Sequence, residues 1–153
     1  VSRPRRAWAL VLLPGLLGAL TACGEDPDAF EGYCDVVVEE QAELGRVLAA
    51  DDGAAGLLPG LPIFERLEEA APDDVADDWS VVVQRLSSLA DALEAAGVDP
   101  VTYDPVDPPD DVTPEELEAI ESGAGSVRSE ALREAVQNVE QQSRDVCKTE
   151  LAL

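Results

Sequence analysis

Residues 72–97 read PDDVADDWSVVVQRLSSLADALEAAG, and their spacing decides the fold class. Val75, Trp79, Val82, Leu86, Leu89, Leu93 and Ala96 recur at intervals of 4-3-4-3-4-3, which draws one stripe down a helix and does not alternate as a strand would. Pro72 in the first turn suits a helix start, because its missing N–H would have no intrahelical acceptor there. Asp73 and Asp74 put negative charge at the positive end of the helix dipole, and Gly97 stops the pattern. Trp79 falls on the stripe and is expected in the core, with ligand stacking as the alternative.

The same period extends to both sides. From Phe30 onward, Phe30, Cys34, Val37, Leu44 and Leu48 share one face, with Gln41 as a polar intrusion. A break rich in Asp and Gly follows at 51–60, then a short helix over 62–70. Residues 97–111, GVDPVTYDPVDPPDD, contain four prolines and read as a loop. Thr113 and Glu116 form a capping box around Pro114, opening a helix that Gly123 and Gly125 are expected to interrupt. A last helix is predicted over 127–148, with Leu132, Val136, Val139 and Val146 inward. The β-branched runs at 36–38 and 81–83 both lie inside helical periodicity, and no internal repeat is evident. The predicted class is all-α, a small antiparallel helical bundle of about four helices.

Residues 1–22 have a different character. Arg3, Arg5 and Arg6 precede an apolar run at 7–20, which is shorter than the roughly 20 residues of a membrane-spanning helix. A basic start, a short apolar stretch and small residues after it describe a secretory signal peptide. Leu20, Thr21, Ala22 and Cys23 then resemble the lipobox of bacterial lipoproteins. The resemblance implies a diacylglyceryl thioether on Cys23 and cleavage between Ala22 and Cys23. Two or three acyl chains hold a protein on a membrane stably, where one does not. Lipidated Cys23 and a short tether would occupy 23–29, and an acidic helical domain 30–153, on the extracytoplasmic face of the cell membrane.

Lipidation of Cys23 leaves Cys34 and Cys147, which an exported compartment would oxidise to a disulfide. Free thiols, or a redox or metal role, are the alternatives, although there is no CxxC pair and no histidine to complete a zinc site. Such a bridge would bring the start of the first helix beside the end of the last, as an even number of alternating helices does. Cys34 lies only 11 residues beyond Cys23, so loop 97–111 would face away from the membrane.

Charge and composition bound the function. From Cys23 onward 7 basic residues meet 33 acidic ones, a net charge of −26. Such a surface repels nucleic acid and suits cations or a cationic partner. The chain has no histidine and a single lysine, Lys148, which removes the most common general base and metal ligand and nearly every Schiff-base amine. No carboxylate pair stands out for glycoside chemistry, so no enzymatic reading is favoured and no cofactor is expected. Asp104, Asp107, Asp110 and Asp111 could supply oxygen ligands to a cation such as calcium, though their spacing fits no EF-hand and a solvated acidic loop is the plainer reading. In layout the chain resembles small envelope lipoproteins of high-GC Gram-positive bacteria, which pair a lipobox with an acidic helical domain and a cysteine near each of its ends. The expected function is a membrane-anchored interaction or accessory module of the cell envelope; the alternative is a lipoprotein binding a small molecule or cation.

Overall fold

The computed structural model describes residues 27–49, 56–151 and 153. Among these the chain forms α1 (Pro27–Ala49), α2 (Leu61–Ala70), α3 (Asp73–Ala95), α4 (Pro114–Val127) and α5 (Glu130–Asp145), with a 3₁₀ turn at Leu58–Gly60 and no strand. A disulfide joins Cys34 and Cys147, whose Cα atoms are 5.0 Å apart. Residues 1–22, read from sequence as a signal peptide, Cys23 with 24–26, and the Asp- and Gly-rich residues 50–55 lie outside the described residues.

The core is built on α3, because its stripe is buried along its whole length. Val75, Trp79, Val82, Leu86, Leu89 and Leu93 are all buried. Pro72 is the N-cap, one position before the first turn, and its carbonyl accepts from Val75 and Ala76 N–H. At the other end Gly97 takes φ +67°, which lets its N–H reach Glu94 O and Val98 N–H reach Leu93 O, both at 2.9 Å. This paired closure satisfies carbonyls that the helix leaves open, and Val98 folds back onto the core.

Neighbouring helices run antiparallel to α3. Glu68 of α2 accepts from the Ser80 hydroxyl, and Leu58 before α2 reaches the Ala90 level. On the other side Gly123 of α4 meets Leu89, while Asn138 of α5 donates to Asp78. Partner numbers rise as α3 numbers fall, so α4 and α5 descend along α3 one after the other. α1 packs against α2, where Arg66 Nε and Nη2 donate to Glu40 Oε1 and Oε2 at 2.5 and 2.7 Å. Hydrogen bonding to Arg66 holds the Glu40 carboxyl below the usual carboxylate range.

The all-α bundle expected from the sequence is present, while several helix boundaries differ from expectation, each for a local reason. There are five helices among the described residues, because the descending arm is broken at Ser129, whose hydroxyl caps α5 by accepting from Leu132 N–H. Residues 127–129 therefore end α4 and cap α5; they do not start the last helix. α4 runs through Gly123 and Gly125 without interruption. A Cβ at position 123 would lie 3.0 Å from Leu89 Cα, so this glycine is what lets α3 and α4 approach. The capping box of Thr113 and Glu116 is present, with Pro114 at the first helical position. Its hydrogen bonds from Thr113 lower the Glu116 pKa. α1 begins at Pro27, so residues 27–29 of the predicted tether are helical.

The inward face of the last helix also shifts. α5 stops at Asp145, and Val146, its C-cap, is not inward but 44% exposed. Ala135 and Ser143 are buried with Leu132 and Val139, while Val136 is half-buried. Lys148 takes φ +56°, and the chain turns back so that Leu151 enters the core. Gln41, the polar intrusion on α1, donates from Nε2 to Glu150 O at 2.7 Å and fastens this returning segment.

Candidate functional site

The two ends of the bundle have different chemistry. α3 is 23 residues long, so the ends are about 35 Å apart at 1.5 Å per residue. The disulfide, Tyr33 and Ser143 lie at the end where α3 begins. The predicted loop follows Gly97 at the opposite end, and it is neither helix nor strand. This is the polarity that the cysteine pairing implies, reached with five helices because α4 and α5 share one direction.

At the loop end, a cleft of about 650 Å³ opens between the 3₁₀ turn and the segment leaving α3. Leu58, Pro59, Ala90, Val98, Pro100 and Val101 form its walls, and Glu94 and Asp99 stand among them. The proline of the 3₁₀ turn and Pro100 stiffen opposite sides. Asp99 Oδ1 accepts from Val101 N–H at 2.9 Å, a local turn that leaves Val101 65% exposed. Asp104 repeats the device with Val106 N–H at 2.8 Å, and Val106 is 90% exposed. Tyr103 between these exposed points, and Val112 after them, anchor the loop to the core. Pro100 and Tyr103 also line a smaller cavity of about 40 Å³ beside Arg128.

Among the described residues, no three His, Cys, Asp or Glu side chains converge where an ion could be held. Asp104 is committed to its own backbone turn, and Asp107, Asp110 and Asp111 are exposed along the loop. The carboxylates that stand at the apolar cleft itself are Glu94 and Asp99.

The opposite end is polar within. Trp79 and Tyr33 are fully buried, and Phe64 stacks against Trp79 with centroids 6.1 Å apart. Burial pushes the Tyr33 phenol up, against the hydrogen bonding it finds with Ser143 and Trp79. The Ser143 contact falls short of good geometry, since its buried Oγ lacks a well-formed partner, as do the carboxamide atoms of Gln142. The packing of Trp79 leaves it outside the lining of the clefts described, so it offers no stacking surface to a ligand. A groove between α3 and α5 at this end is lined by Asp74, Asp78, Asn138 and Asp145.

The chain matches no family model, no curated protein and no solved structure. Among the described residues, no helix is long and apolar enough to cross a membrane. Cys23 and Ala22, the expected lipidation and cleavage positions, lie outside the described residues. The apolar cleft was missed from sequence, since it depends on the 3₁₀ turn meeting residues 40 positions further along the chain. Val101, an exposed valine in an acidic, Pro-rich loop, was its local trace.

Proposed function

We propose that this chain is an exported lipoprotein, anchored through acyl chains on Cys23, that serves the cell envelope as an interaction module for a cationic partner. One observation carries the reading. The disulfide fixes Cys34, 11 residues beyond Cys23, at the end of the bundle opposite the acidic loop and its cleft. An anchor at one end leaves the other free to meet a partner away from the lipid. The net charge of −26 beyond residue 22 favours a basic partner by long-range attraction and weakens any approach to anionic lipid or nucleic acid. The lipobox of Leu20, Thr21, Ala22 and Cys23 supports the anchor, and the signal-peptide character of residues 1–22 supports export.

A proximity-labelling enzyme inserted in the exposed loop at Asp107 tests this, because exposed polar loops tolerate insertion. The expected result is a set of basic exported proteins enriched over the same enzyme on an unrelated lipid anchor. Indistinguishable labelling from the two anchors contradicts a specific partner.

A further inference from the structure

We propose that the cleft at the loop end receives the apolar side chains of a basic peptide segment, whose lysines or arginines pair with the acidic rim. This rests on the reading of the chain as a module for a cationic partner, and adds where and how that partner is recognised. The cleft volume of about 650 Å³ lies within the roughly 300–1,000 Å³ range of ligand-binding pockets. Val101 lines it yet is 65% exposed, so covering it removes apolar surface from water. Glu94 and Asp99 stand at its edge, and Asp104, Asp107, Asp110 and Asp111 continue in the same loop.

An apolar seat with two carboxylates, Glu94 and Asp99, at its edge has a defined complement: apolar residues flanked by positive charge. A second copy of this chain brings the same carboxylates to the contact and is repelled. A purely apolar or anionic segment would desolvate the rim without pairing it, at a cost. A basic segment satisfies both parts at once, and electrostatic steering would raise its rate of encounter. Salt should weaken the rim pairs and leave the apolar contact.

The test uses the full chain in phosphatidylcholine vesicles and a fluorescein-labelled peptide, GKKLFKKG, read by anisotropy. The proposal expects binding that weakens about tenfold with GKKSSKKG, the equivalent of about 1.4 kcal/mol of lost apolar contact. Val101→Ser, on an exposed side chain, should weaken GKKLFKKG severalfold with unchanged helical circular dichroism. Equal binding of both lysine peptides with no effect of Val101→Ser overturns the cleft, while the wider reading of a cationic partner survives. Equal binding of GEELFEEG overturns the basic partner. Failure of every peptide to bind overturns the proposal, as does self-association that Val101→Ser abolishes, which would give the cleft to a second copy. Flotation of the chain with the vesicles reports on the anchor separately.

Discussion

Trp79 Nε1 donates to the Tyr33 hydroxyl oxygen at 3.0 Å, and both residues are 0% exposed. The bond ties α1 to α3 inside the core, where a lost partner cannot be replaced by water. Tyr33→Phe should therefore strand the indole N–H and destabilise the bundle by about 1–3 kcal/mol. Urea unfolding followed by circular dichroism measures it. A variant as stable as the parent would mean that the indole finds another acceptor.

Two glycines in α4 should respond with opposite signs. Gly123→Ala places a methyl 3.0 Å from Leu89 Cα, so α3 and α4 must separate, with a typical overpacking cost of about 1–3 kcal/mol. A Cβ at Gly125 meets nothing within 4 Å, so Gly125→Ala should stabilise by up to about 1 kcal/mol through helix propensity. Thermal melts of the two variants check the pair, and equal shifts would contradict the packing described.

The fold was legible where its cause is local. The stripe from Val75 to Leu93, the capping box of Thr113 and Glu116, and the stop at Gly97 each depend on residues within a few turns. The failures are tertiary. Gly123 reads as a helix breaker until Leu89 is placed beside it. Tyr33 stands four residues before Val37 and belongs to the same face, but a stripe drawn through Phe30 and Cys34 passes it by. Val146 carries the right period, yet as the C-cap of α5 it stands exposed. For the candidate site, charge and exposure of the loop were readable, whereas the cleft required the distant contact between Leu58 and the segment after α3.

The Glu40 and Arg66 pair sets a pH dependence. Hydrogen bonding to Arg66 lowers the Glu40 pKa in the folded state, so the unfolded chain binds more protons as pH falls toward that range. The pair's contribution is complete above the ordinary carboxylate pKa and is lost as pH falls through the lowered folded value. Glu40→Gln should cost about 0.5–1 kcal/mol at neutral pH, a modest figure because Arg66 is about half exposed. The difference from the parent should vanish in acid. A pH-independent difference would show that packing, not ionisation, matters at this position.

Reduction of the disulfide between Cys34 and Cys147 should lower the melting temperature clearly and leave helical content below the transition nearly unchanged. The bridge spans 113 residues, for which the chain-entropy relation gives about 4–5 kcal/mol as an upper value. The helices pack through their own apolar faces, so the bridge acts mainly on the unfolded chain. Cys34→Ser should reproduce the reduced protein, since either change opens the same loop. A melting temperature unmoved by reduction would contradict this.

The central claim, an extracytoplasmic module held by lipid on Cys23, is tested most directly by the intact mass of the membrane-extracted protein beside fractionation of Cys23→Ser. The expected parent begins at Cys23 and carries the mass of a diacylglyceryl group, with or without a further amide-linked acyl chain. The variant should leave the membrane or persist with residues 1–22 attached. A parent without acyl mass, together with a variant that fractionates and migrates as the parent does, would contradict the anchor.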